Sequence, residues 1–272
     1  MRFSVRHETV YRYSAPVRFA PHRLRLTPRV DAGLLHRHDL DVGPDPLGRD
    51  DALDAYGNRV IDLAFDTPAD ALRIESRFVL ETVAPPPLAA GPPLLPAGRD
   101  PDLAPWLAGP DPDPSVAAFA AEIAATSGGR TDRFLSTLCR TLFERTDRHI
   151  RPDGAARSAA ETLALGSGAC RDLTVLFMAA ARVVGLPARF VSGYQARAET
   201  PDGRRHLHAW PEVHVAGVGW RGWDPTHGVA VGDGHVALSA APDQAATMPI
   251  EGGYFGDGVT ATLAYRVEID AS

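Results

Sequence analysis

The stretch Gly166-Ser-Gly-Ala-Cys170-Arg-Asp172-Leu-Thr-Val-Leu-Phe-Met-Ala-Ala-Ala181 decides how the rest of the chain is read. A Gly/Ser cluster precedes a run of strong helix formers, so the pattern predicts a loop that delivers Cys170 into the first turn of a helix. The unpaired backbone N–H groups of such a turn carry partial positive charge and favour thiolate over thiol. Behind the thiol, Leu173, Leu176, Phe177, Met178, Val183 and Val184 make the helix apolar on nearly every side, which predicts burial. Packing of that segment fixes the sulfur in place. Gly185 then serves as a left-handed cap and Pro187 blocks continuation.

Downstream, His208 opens a strand in Leu207-His-Ala-Trp210, and Asp224 closes one in Gly222-Trp-Asp224-Pro-Thr226. The turn-forming Ala216-Gly-Val-Gly219 lies midway between them. A hairpin folded there sets the two side chains opposite, about 5 Å apart at Cβ, or on the diagonal, about 7 to 8 Å apart. A thiolate nucleophile needs a base oriented by a third group, and Cys170, His208 and Asp224 supply that set. Cys170 alone reads equally as a small buried hydrophobe; the partners decide between the two. His206, His214, His227 and His235 raise a metal alternative, with His206, His208 and Asp224 as its nitrogen and oxygen ligand set, which keeps a metal-dependent hydrolase in view. Asp172 is expected to stabilise the helix by negative charge in its first turn in preference to bracing the loop. Trp210, Trp220 and Trp223 read as hairpin core, any of which could also line a cleft.

The second thiol, Cys139, shares an apolar helical face with Phe134, Leu135, Leu138 and Leu142, which predicts a buried, inert group. Two cysteines give no disulfide framework and no zinc pattern. Every cation in the 28 Lys plus Arg is Arg, so lysine Schiff-base chemistry is excluded. A net charge of −6 argues against a nucleic-acid surface. No apolar run reaches membrane-spanning length, and the opening Met1-Arg-Phe-Ser-Val-Arg-His-Glu8 has no greasy core of a signal peptide. A cytoplasmic location without membrane partner is the expectation.

The 272 residues allow two units. Residues 1–83 read as β: alternation around Phe3, Val5, Val10, Tyr11 and Tyr13 suggests a hairpin arm. Tyr56-Gly-Asn58 is a turn entering a strand over 60–65, and 72–83 alternates again. The scattered His7, His22, His36 and His38 read as ordinary strand or surface histidines. Residues 84–114 are rich in Pro and form a connector. Residues 115–272 read as helices first and antiparallel strands after, an α+β unit. Its helices open at Asp113-Pro114, at Thr131 or Asp132, and at the capping box Ser158–Glu161.

The chain resembles the transglutaminase-like cysteine enzymes, whose core is papain-like. The resemblance rests on Gly168-Ala-Cys170-Arg-Asp172, Gly185-Leu-Pro-Ala-Arg189 with Gly193-Tyr194, His208-Ala-Trp210-Pro-Glu212, and Gly219-Trp-Arg-Gly-Trp-Asp224-Pro-Thr226. The opening is similar to the β-rich N-terminal region of bacterial members through His7-Glu-Thr-Val-Tyr11 and Tyr56-Gly-Asn58. The resemblance implies a β-rich N-terminal domain followed by that core, with Cys170 as nucleophile, His208 as general base and acid, and Asp224 as the group that orients the imidazole. Asp172, Tyr194, Trp210 and Trp223 would support the cleft, and no cofactor is implied. The expected reaction is acyl transfer on a peptide or protein amide, by a cysteine peptidase, amidase or transglutaminase. Two departures stand out: Ala241-Pro-Asp-Gln244 replaces a family Gly-Arg-Asp-Tyr segment, and no Gln precedes Cys170 as an oxyanion donor. They keep a catalytically silent binding module as the alternative.

Overall fold

The computed structural model describes residues 1–86, 88, 101–151, 154–197 and 203–272. Its first strand, β1 (Arg2–Phe19), runs for 18 residues as one element where the sequence suggested a hairpin arm. Phe3, Val5, His7 and Thr9 all point inward, so the period of two continues through two polar residues that hide it from a hydrophobicity count. β2 (His22–Leu24), β3 (Leu34–Gly43), β4 (Gly48–Leu53), β5 (Arg59–Ala64) and β6 (Ala69–Glu81) complete the N-terminal part. No residue of β3 or β4 is buried, which explains why no apolar alternation announced them.

In the second part, Asp113 caps α1 (Pro114–Thr126) by accepting from Ser115 N–H at 2.8 Å. α2 (Thr131–Arg145) starts without a side-chain cap. Ser158 and Glu161 form the expected capping box at α3 (Ala159–Leu165), and Gly166 ends that helix in the left-handed region. Cys170 is the first residue of α4 (Cys170–Val183). The strands β7 (Ala188–Gln195), β8 (His208–Val215), β9 (Gly219–Asp224) and β10 (His235–Ala241) follow, then β11 (Ala261–Ala271). The architecture is α+β.

The sheet of the second part is antiparallel, with the order β9-β8-β7-β10. Helices α1, α2 and α4 cover one face through Phe134, Leu138, Leu173, Phe177, Phe190 and Val213. The other face is covered by the N-terminal part, whose core takes in Tyr194, Val236 and Leu238. Being covered on both sides, β7 is buried at every residue.

The C-terminal β segment of the second part joins the sheet of the first. β11 leaves the second part and pairs with β1 from Phe3↔Ala271 to Tyr13↔Ala261, giving the order β11-β1-β6-β3. Its free edge needed a partner, and β1 was long enough to hold two. Ile250–Glu251 likewise extends β2. Residues 87 and 89–100 of the expected 84–114 connector lie outside the described residues, but its end is structured: Trp106 packs edge-on to both Tyr56 and Trp220.

One side chain ties the two parts directly. Asn58, fully buried, donates to Ala240 O at 3.0 Å and accepts from Ala240 N–H at 2.7 Å, so its amide mimics a strand partner for β10. It also donates to Asp54 at 2.9 Å and accepts from Arg29. Replacing Asn58 by Ala orphans these buried groups, and urea unfolding should show a loss of about 3 kcal/mol. A loss below about 0.5 kcal/mol would contradict the tie.

Candidate active site

Asp224 closes β9, and the pairing Val215↔Gly219 to Glu212↔Gly222 sets it on the diagonal from His208 at the start of β8. The three-residue turn 216–218 produces that offset. Both residues are fully buried, and His208 Nε2 lies 2.9 Å from Asp224 Oδ2. The same oxygen takes two further imidazoles, His227 Nδ1 at 2.7 Å and His235 Nε2 at 3.1 Å. Its companion Oδ1 accepts from the backbone N–H groups of Thr226 at 2.9 Å and His227 at 3.3 Å. Burial alone raises the carboxyl pKa, but the charge of His208 and the hydrogen bonds from the three rings outweigh it and hold Asp224 well below the usual range.

An ionised carboxylate only accepts, so each of the three facing nitrogens carries its proton. That assigns the tautomer of His208: neutral, it is protonated at Nε2, and Nδ1 holds the lone pair. Trp210 stacks on the ring with centroids 6.0 Å apart at 29°. Gly193 sits across the sheet from His208, where a Cβ would meet Val236 O at 2.1 Å and the Trp210 ring at 2.8 Å. Glycine there gives the tryptophan its place.

α4 packs against β8 and β7 and brings Cys170 and Ala169 to the same cleft, about 550 Å³, that His208 and Ala209 line from the sheet. Cys170 is partly exposed, as a nucleophile must be. Cys139, in contrast, is buried and its thiol is pushed up to about 12, chiefly by burial, in keeping with an inert core group.

Four expected supporting residues divide. Asp172 is a brace, correcting the simpler helix-charge reading. Fully buried, it accepts from Ala169 N–H at 2.9 Å, from Arg157 N–H at 2.8 Å and from Arg151 at 2.6 Å. Burial opposes its charge, but these N–H groups and the Arg151 charge win and lower its pKa. The loop before Cys170 is therefore stapled to the helix that follows it. Tyr194 and Trp223 are not in the cleft wall. Trp223 stacks on Phe177 in the helical core, and Tyr194 is buried beneath the cleft with its hydroxyl 2.7 Å from His7 Nδ1. Trp210 acts behind His208.

The metal set His206, His208 and Asp224 does not form, because His206 Nδ1 lies 2.8 Å from the Tyr265 hydroxyl. His208, Asp224 and His227 do bring ligand-type atoms within 4.8 Å of one another. There the carboxylate oxygen stands at the centre of the three rings, the place an ion would take.

Sequence reading singled out His227 and His235 only as raising a metal alternative and took His7 for an ordinary strand histidine; it did not foresee the partners these three have in the structure. The first two sit three and eleven residues beyond Asp224, spacings without a regular period. His7 is an N-terminal residue in the cleft wall. Across these parts, residues 117–225 match the family model of the transglutaminase-like superfamily, and residues 3–81 match that of the bacterial transglutaminase-like N-terminal region. The chain is thus transglutaminase-like in its core and carries the bacterial transglutaminase-like N-terminal region before it. It is 29% identical to the uncharacterized proteins Mb2599c of Mycobacterium bovis and Rv2569c of Mycobacterium tuberculosis, over 98% of this chain and 92% of each of theirs. Its fold is similar to a proposed cysteine protease from Cytophaga hutchinsonii, with a TM-score of 0.74 and 19% identity over 99% of this chain and 90% of that one.

His7 offers a pH test. Burial lowers its pKa from 6.5 to about 4, so the unfolded chain takes up a proton that the folded one refuses. Its contribution to stability is complete above pH 6.5 and is lost as pH falls towards about 4. Comparing wild type with His7→Gln by urea unfolding, the wild type should lose about 3 kcal/mol more across that window. Parallel pH curves would show that His7 is not held neutral.

Proposed function

We propose that the protein is a thiol-dependent acyl-transfer enzyme acting on peptide or protein amides, with Cys170, His208 and Asp224 as its triad. The observation that carries this reading is the buried 2.9 Å contact between His208 Nε2 and Asp224 Oδ2. With Nε2 donating to Asp224 at 2.9 Å, Nδ1 is the nitrogen that exchanges protons with the sulfur. The Cys170 sulfur attacks the amide carbonyl carbon as Nδ1 takes the thiol proton. The C–N bond breaks as the imidazolium returns that proton to the leaving amine, and a thioester remains. Water then regenerates the thiol and releases an acid, or a second amine releases a new amide. Asp224 fixes the ring and stabilises its charged form.

The Cys170 backbone N–H, at the start of α4 and without an intrahelical partner, is one donor for the developing oxyanion. The chain contains no lysine to act as an internal acyl acceptor, so the thioester is resolved by water or by an amine from another molecule and not by self-crosslinking.

The test is a panel of peptide amides with acid-quenched intact-mass analysis. Wild type should show an acyl adduct on Cys170, and Cys170→Ala and His208→Ala should each lose activity on the order of 10³-fold or more. Added amine diverts the product if transamidation competes. Equal behaviour of wild type and Cys170→Ala across the panel would favour a binding scaffold without turnover.

A further inference from the structure

One wall of the cleft that holds Cys170 is of the wrong kind for a surface in contact with water. Tyr11 of β1 stands opposite Leu263 of β11, and Thr9 opposite Tyr265, so the four side chains share one face of the N-terminal sheet and line the cleft together. That face starts in the core, where the preceding pair His7↔Val267 is buried. It then comes to the surface, with Tyr265 43% and Leu263 54% exposed. The reverse side of β11 carries Thr262, Ala264, Arg266 and Glu268, none of them a large apolar residue. Strand propensity acts on both sides alike, so it does not account for the difference. The wet face of an antiparallel sheet is expected to turn polar, and here large apolar residues continue past the point where the core ends.

The cleft keeps this character elsewhere. Phe190 and Ala209, both buried, line it from the sheet of the second part, and Met248 and Ile250 line it from the stretch that follows β10. Met248 is 41% exposed, a further large apolar residue open to the same cavity. Clustered exposed apolar side chains mark a binding surface, whereas scattered ones carry no such meaning. What covers this one follows from the site: an amide that reaches the Cys170 sulfur has to lie in the cavity of about 550 Å³ that these residues line. The side chains flanking that amide meet them.

We propose that the substrate is a peptide with a large apolar side chain, of the Leu, Met or Phe kind, beside the reacting amide, and that Leu263, Tyr11 and Met248 receive it. This rests on the acyl-transfer reading of Cys170 and adds the side chain that the cleft selects. Leu263, Tyr11 and Met248 determine specificity and take no part in the chemistry. Seating the side chain removes apolar area from water on both partners, a gain that grows with each methylene buried. The N-terminal region thereby supplies the selective wall for a sulfur that the second part activates.

The test uses N-alkylmaleimides of increasing chain length, which label the thiol and require no turnover. Rates at Cys170 are read by peptide mass spectrometry, with N-acetylcysteine in the same buffer as reference. Divided by the reference rate, the wild-type rate should rise on the order of tenfold from N-methylmaleimide to N-hexylmaleimide. In Leu263→Ser and in Met248→Ser, both changes at exposed side chains, the rise should shrink by about threefold while the N-methylmaleimide rate holds. Among peptide amides, Leu or Phe beside the reacting amide should raise the yield of acyl adduct on Cys170 over Ala by on the order of tenfold. No rise with chain length, with N-methylmaleimide still fast at Cys170, overturns the apolar subsite and leaves the nucleophile reading intact. A rise unchanged in both variants overturns the assignment to Leu263 and Met248. Equal adduct yields from Leu, Phe and Ala peptides overturn the substrate preference. N-methylmaleimide reacting no faster at Cys170 than at the buried Cys139 removes the nucleophile, and the apolar substrate with it.

Discussion

One carboxylate oxygen receives three imidazoles, and the rest of the site depends on that convergence. An isolated ionised carboxylate in a fully buried position would cost far more than the fold can supply. Here His208, His227 and His235 supply donors to Oδ2 while backbone N–H groups hold Oδ1, and the charged form becomes the favoured one. The arrangement sets protons as well as positions. Because Asp224 can only accept, it decides which nitrogen of His208 keeps a lone pair.

Precision at the sulfur comes from elsewhere. Asp172 joins Ala169, Arg157 and Arg151 in one buried node, so the loop that presents Cys170 cannot shift without breaking three hydrogen bonds. Trp210 holds the imidazole plane from behind, and Gly193 makes room for it. The N-terminal part then builds a wall of the cleft with β1 and β11, which is why both ends of the chain meet in one sheet. Asn58 locks that wall to the sheet of the second part through Ala240.

Much of this was legible in the sequence wherever a local rule applied. The caps at Asp113, Ser158 and Gly166, the burial of the Cys170 helix and the hairpin diagonal between His208 and Asp224 all follow from short-range spacing. What was not legible depends on distant pairing. β11 carries exposed residues over most of its length, and nothing in its pattern says that Arg2–Phe19 is its partner. Likewise, His227 and His235 reach Asp224 from a turn and from another strand, and His7 looks like any strand histidine until Tyr194 is placed beside it. Asp172 was read as a helix charge because its partners, Arg151 and Arg157, lie in an irregular segment with no period to flag them.

The central claim is that Asp224 acts through His208 on the sulfur of Cys170. It is tested most directly by the pH dependence of Cys170 alkylation by iodoacetamide in wild type and in Asp224→Asn. The account predicts that wild type is alkylated faster than Asp224→Asn by on the order of tenfold or more throughout roughly pH 6 to pH 8, because only an imidazole oriented by the carboxylate takes the thiol proton as the sulfur attacks. Two superimposed curves would contradict it.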